Sequence, residues 1–420
     1  MGYGKRTLMA AALAAAVATN GLAQRNEIFK SSIRSLQVVS GTDWLSMPVM
    51  KLGGYGDGSV INIAFDDLTH TYERYTYNIE HCEANWTTTE SLFPSDYLEG
   101  FVSDNVIEDV EESINTNVLY THYRLSIPNS QCRIKMSGNY KLNIIDDNTG
   151  EKVLTACFMV AEQGAMGVSM TATSNTDIDT NKSHQQVGMS VSYNGLKVTD
   201  PSAQVKTVVL QNGRWDNAVA NAKPQYTTVS GLQWNHCREL IFDAGNEYHK
   251  FETLATTHPT MGVDNISWDE ENYHAHIFAD EPRPNYLYDE DANGAFYVRN
   301  SDNIENDRSC DYLYTHFTLM SPAPVEGEVY LNGAWTNDRF LPEYKMEYNG
   351  EKKCYEGCVL LKQGYYSYQY VMLDKDGRPR IMPTEGSFFQ TENKYQALVY
   401  YRGQGERTDR LVGFCQIQLK

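Results

Sequence analysis

Basic residues are scarce in this chain. Its 35 Lys and Arg stand against 54 Asp and Glu, a formal net charge of −19 over 420 residues. So acidic a balance argues against nucleic acid and anionic membrane surfaces as partners, because both demand clustered cations. Long apolar runs are also missing after the first 23 residues, and a membrane-spanning helix takes about 20 strongly apolar residues. Direct membrane insertion is therefore not expected. A Gly-rich phosphate loop, a Gly-x-Ser-x-Gly nucleophile elbow and a His-Glu-x-x-His helix are all absent, so no cofactor, metal or catalytic role follows from motifs. Helix signals are few.

What is present begins with a leader. Lys5 and Arg6 precede an Ala-rich apolar stretch, Leu8 to Ala18, and Gly21-Leu22-Ala23 supplies small residues before a cut ahead of Gln24. Residues 1–23 read as a signal peptide, and no cysteine follows the cut to carry a lipid. Losing Lys5 and Arg6 lowers the net charge from −19 by two, to −21. The mature chain is expected to be exported, soluble and monomeric when free.

Aromatic residues make up 12% of the sequence, 29 of them Tyr. Alternating stretches such as Val60 to Phe65, Thr121 to Ile127, Tyr140 to Ile145 and Gln204 to Leu210 are punctuated by turn clusters. Short alternating strands with such punctuation predict an all-β protein of tandem immunoglobulin-like β-sandwiches. Three units are expected: 27–162, 163–319 and 321–420, the last entered through Ser321-Pro322-Ala323-Pro324. Ile107 to Ile114 is the one stretch expected to form a short helix or 3₁₀ turn.

Several clusters resemble catalytic sites. Asp66-Asp67 ends a strand and His81-Cys82 ends another, but strand neighbours point to opposite faces, so neither pair converges. One Asp is expected to cap a turn. His122 is the residue to bring toward Cys82 from a neighbouring strand if a Cys–His pair exists. His274 and His276 share a strand face and lack a third metal ligand in sequence. Among eight cysteines, Cys354 and Cys358 flank three residues, suited to a hairpin disulfide or to two unpaired thiols, and Cys82 with Cys132 is a second candidate bridge. Trp335, Tyr365, Tyr366, Tyr368 and Tyr370 pattern like sugar-stacking modules, though Tyr366, Tyr368 and Tyr370 fall on one strand face and fit a core layer as well. An exported carbohydrate-binding protein is thus the alternative reading.

Short phrases stand in fixed order, among them Pro48-Val49-Met50-Lys51-Leu52, Phe65-Asp66-Asp67-Leu68, His81-Cys82-Glu83-Ala84-Asn85-Trp86, Tyr97-Leu98-Glu99-Gly100-Phe101, Tyr120-Thr121-His122-Tyr123 and Ser137-Gly138-Asn139-Tyr140. Together they show a resemblance to the type IX secretion system plug protein family of the Bacteroidota. Leu361-Lys362-Gln363-Gly364-Tyr365-Tyr366 and Val399-Tyr400-Tyr401-Arg402 extend it toward the C-terminus. The resemblance implies a non-enzymatic periplasmic protein that closes the giant outer-membrane β-barrel translocon. Its docking surface is expected in the first unit, at Trp86, Tyr97, Phe101 and Tyr120, since interface hot spots favour Trp and Tyr.

Overall fold

The computed structural model describes residues 26–54 and 56–419. The leader expected over residues 1–23 lies outside the described residues. Among those described, only three α-helices occur, each four residues long, and the rest of the regular structure is strand with a few 3₁₀ turns.

The first unit is a sandwich. One sheet orders Glu27–Ile28, Lys152–Ala161, Gly138–Asp146, Tyr75–Cys82 and Asn105–Val106, with Val49–Lys51 parallel on Lys152–Ala161. The facing sheet orders Ile33–Ser40, Ile61–Asp67, Thr121–Ile127 and Asp109–Glu112. Ile61, Ile63 and Phe65 alternate into the core and meet Tyr77, Ile79, Leu142 and Phe158. Residues 109–112, expected within a short helix, form the edge strand of this sheet instead, because Glu112 pairs with Thr121 and Asp109 with Arg124. Their acidic side chains suit a solvated edge better than a helix face.

The second unit departs from the expected boundaries. Its outer sheet orders Gly167–Thr173, His184–Ser192, Gly231–Trp234 and Tyr226–Thr227. Its inner sheet orders Val219–Ala220, Val205–Gln211, Lys394–Tyr401 and Arg410–Gln418. Val205 pairs with Tyr401 and Gln211 with Tyr395, so the last two strands of the chain complete this sandwich. Met170, Val187 and Trp234 pack against Tyr395, Ala397, Val399 and Val412 in one core. The expected division at 319 and 321 is thereby corrected: strand pairing groups residues 163–245 with 393–419.

The third unit is the insertion between these two halves. A ten-stranded sheet runs from His249–Thr253 through Gly364–Leu373, Glu328–Asn332, Lys345–Asn349, Cys354–Lys362 and Tyr312–Met320 to Tyr273–Ile277 and Val263–Trp268. Phe251, near one end of that order, contacts Phe317, five strands away, at 5.6 Å between ring centroids. The sheet therefore curls over a single core that also holds Tyr366, Tyr368, Leu313 and Trp335.

A fourth apolar cluster lies between the first two units. Ala84, Trp86, Cys157 and Met159 from the first meet Val208, Leu210, Trp215, Leu398 and Tyr400 from the second.

Candidate functional site

Asp66 and Asp67 point to opposite sides of their strand, as alternation requires. The Asp67 carboxylate accepts the Tyr75 hydroxyl at 2.5 Å, the Lys30 ammonium at 3.1 Å and the Thr69 amide at 3.0 Å. The last is the turn cap expected from sequence. Asp66 is fully buried and accepts from His122 Nδ1 at 2.6 Å, the Tyr312 hydroxyl at 2.6 Å and Lys362 Nζ at 2.7 Å. Burial drives the Asp66 carboxyl up, yet Lys362 and His122 together outweigh it and hold it below its ordinary 3.8. Lys362 is 1% exposed, lies 4.0 Å over the Tyr120 ring and also donates to the Asp307 carbonyl at 2.7 Å. Lys362 and Tyr312 belong to the third unit, so this cluster joins it to the first. A carboxylate so saturated has no place for a substrate.

His81 and Cys82 form no reactive pair. His81 Nδ1 meets Thr89 Oγ1 at 3.0 Å and Nε2 lies 3.2 Å from the Ser137 carbonyl oxygen. Burial pushes its imidazole down to about 4 and the Cys82 thiol up to about 11. Gly138, at φ +145°, leaves room for that ring, since a Cβ there would stand 2.3 Å from Nε2. His122 does not approach Cys82; the register places it opposite Asp66 in the other sheet.

Three of the four expected docking residues are buried inside the chain. Trp86 is 1% exposed and meets Trp215 edge-on, with centroids 5.5 Å apart. Its backbone is left-handed, at φ 65°, an unfavourable conformation for a bulky residue that the contact between units holds in place. Tyr97 is buried in the first core and donates to the Ile79 carbonyl at 3.2 Å. Tyr120 packs edge-on against Tyr312 at 5.5 Å and donates to the Cys310 carbonyl at 2.8 Å. Phe101 alone stays at the surface, 70% exposed. Trp86 and Tyr120, expected to dock on a partner, pack instead against Trp215 and Tyr312 of the same chain.

Further joints escaped the sequence reading. Asp409 Oδ2 accepts the Ala84 amide at 3.1 Å and Lys206 Nζ at 2.8 Å, Arg402 pairs with both Glu83 and Asp409, and Arg410 pairs with Glu162 at 2.8 Å. Asp311 accepts the amides of Asn117 and Val118 at 2.7 and 3.0 Å. Phrases distant in sequence thus meet in space: Glu83-Ala84 with Arg402, and Asp66 with Lys362. Their spacing carries no signal of that meeting.

The remaining candidates are structural. Cys354 and Cys358 lie on one continuous strand, four residues and about 13 Å apart, beyond the ~7 Å a disulfide spans. No disulfide joins any of the eight cysteines. His316 folds against the His274–His276 pair, 2.9 Å from His274 Nδ1 and stacked on His276 at 4.5 Å. Even so, no group of three ligands among the described residues is arranged to hold a metal ion. Trp335, Tyr366, Tyr368 and Tyr370 are 8%, 1%, 1% and 2% exposed and build the third core, which removes the aromatic platform from the carbohydrate reading; only Tyr365 is half-buried. Tyr368 and Tyr370 donate to Asp280, which with Glu385 flanks the half-buried His249. Burial opposes charge on this imidazole, but the two carboxylates prevail and raise it to about 9.

Fold and joints together define a class: an all-β body of three sandwiched units whose buried charged clusters serve structure. Comparison with known proteins then identifies the family. Residues 33–162 match the model of the type 9 secretion system plug protein 1st domain. A crystal structure of a hypothetical protein from Parabacteroides merdae is 38% identical, covers 94% of this chain and 99% of its own, and superposes with a TM-score of 0.90. The C-terminal domain of the Streptococcus pyogenes antigen I/II-family protein AspA aligns over 91% of this chain and 98% of its own at 10% identity. Its TM-score is only 0.16, so it carries no argument. No curated protein matches. Through that first domain the chain belongs to the type IX secretion system plug protein family.

Proposed function

We propose that this protein binds the periplasmic opening of the giant outer-membrane β-barrel translocon of the type IX system and seals it, acting as a non-enzymatic periplasmic plug. The observation that carries this reading is the plug-family match over residues 33–162. The architecture supports it. A wide pore is closed by a body that keeps its shape, and here apolar and ionic joints fasten the three units to one another. Closure of this kind needs an interface of ordinary size or larger, at least about 1,200 Å² in total. The test is a pull-down of the tagged mature protein from membranes in mild detergent. One very large outer-membrane β-barrel is expected to co-purify, and its absence would overturn the reading.

A further inference from the structure

The expected docking aromatics are consumed by internal joints, but a second aromatic group is not. Trp44, on the turn after Ile33–Ser40 in the first unit, leans onto the third unit. Its ring lies 5.5 Å from Tyr297 and 5.8 Å from Tyr365. Tyr297 is 36% exposed, while Trp44 and Tyr365 are half-buried. Within the described residues, the Trp44 indole N–H and the hydroxyls of Tyr297 and Tyr365 have no hydrogen-bond partner, unlike Tyr120, Tyr312, Tyr366, Tyr368 and Tyr370. Polar aromatic tips clustered at a surface are the commonest anchors of protein interfaces.

Trp44 and the exposed Leu45 also line a cleft of about 170 Å³ where all three units meet. Lys394 and Asp338 are the only charged residues that line it, in a protein of net charge −19. Apolar side chains, among them Leu36, Val38, Trp215 and Phe296, line much of the rest together with seven carboxamides, three of which keep hydrogen-bonding capacity unspent. Gln37 donates to the Phe296 carbonyl and keeps its oxygen free. Asn337 accepts from Asn26 and keeps its amino group, and Gln416 does the same with Gln396. Mixed donors and acceptors on a largely apolar wall with one charge of each sign match a peptide backbone, which offers both in alternation. Beside the rings, Asp291, Asp289, Glu252 and Glu290 crowd Tyr365. Lys250 and Arg299 offset part of this charge, through pairs with Asp289 and Glu252.

We infer that this three-unit cleft, with Trp44, Tyr297 and Tyr365 at its rim, is the docking site for an extended polypeptide segment of the translocon, uncharged where it enters the cleft and basic beside the rings. The inference rests on the function proposed above and names the face that performs it.

The experiment captures solubilised outer membranes with tagged wild-type protein, Trp44→Ala, Leu45→Glu and Phe101→Ala, each first shown to be folded by thermal unfolding. Leu45 is exposed, so Leu45→Glu places a charge in the cleft without removing core packing. Trp44→Ala and Leu45→Glu are expected to weaken capture of the barrel about tenfold or more, Phe101→Ala to leave it unchanged, and added salt to weaken wild-type capture. A photo-crosslinking residue at position 45 is expected to label a loop of the barrel. Wild-type capture with unaltered binding by both cleft variants would overturn the inference and leave the proposed function standing. Failure of the wild type to capture the barrel would overturn both.

Discussion

Two histidines, buried His81 and half-buried His249, contribute to stability with opposite pH dependence. His249 is held protonated by Asp280 and Glu385, up to about 9 against an ordinary 6.5. Its contribution is fully present below pH 6.5 and is lost as pH rises through about 9. His81 runs the other way. Burial keeps its ring neutral down to about 4, so the unfolded chain takes up a proton there that the folded chain refuses, and stability falls as pH drops from 6.5 toward 4. Taken by themselves these two groups favour a pH near 6.5, while Asp291, raised by burial to about 7, opposes His81 on the acid side. Urea midpoints should fall as pH rises from 6.5 to 10, and His249→Gln should flatten that alkaline limb; an unchanged alkaline limb would refute the assignment. At this scale the sequence was legible where strand alternation decides, as with Asp66 against Asp67 and His81 against Cys82. It was illegible for Trp86 and Tyr120, because aromatic residues that dock on a partner and those that dock on a neighbouring unit are the same residues.

Among the elements, the short alternating strands could be read directly, and Ile61–Asp67 and Thr121–Ile127 lie where their patterns put them. Pairing could not be read. The strand Lys394–Tyr401 follows the third unit in sequence yet joins Val205–Gln211 of the second, because two apolar strand faces of similar composition give no sign of which sheet they complete. Edge strand Asp109–Glu112 was misread for a related reason: four residues carry too little periodicity to separate a turn of helix from a sheet edge. A consequence can be tested. Ending the chain after Glu392 removes two of the four strands of the inner sheet and exposes the apolar faces of Met170, Val187 and Trp234. The truncated protein should bind a hydrophobic dye and aggregate, as judged by fluorescence and size-exclusion chromatography. A monodisperse truncated protein without dye binding would contradict the assignment of these strands to the second sandwich.

Across the whole molecule, joints matter as much as cores. The Lys362–Asp66 pair, both side chains 1% exposed, fastens the third unit to the first. Replacing Lys362 by Met leaves Asp66 buried without its strongest partner, at a cost of about 3–5 kcal/mol. Denaturation of Lys362→Met should shift to lower urea by a corresponding amount while remaining one transition, because Asp311 still holds the third unit to the Asn117 and Val118 amides of the first, and the Trp86–Trp215 contact and the Arg410–Glu162 pair hold the first to the second. A shift below 1 kcal/mol, or separation into two transitions, would show that the units are held together differently.

The interleaved order of the second sandwich also has a meaning in time. The Tyr401 hydroxyl meets the Lys197 carbonyl across 204 residues, and the strands that complete the inner sheet are synthesised after the whole third unit. Until they arrive, the partner strand Val205–Gln211 waits with one edge unpaired while an entire further unit is made and folded. Completion of the second sandwich thus waits on strands made after the third unit: a chain cut before Lys394 lacks half of the inner sheet.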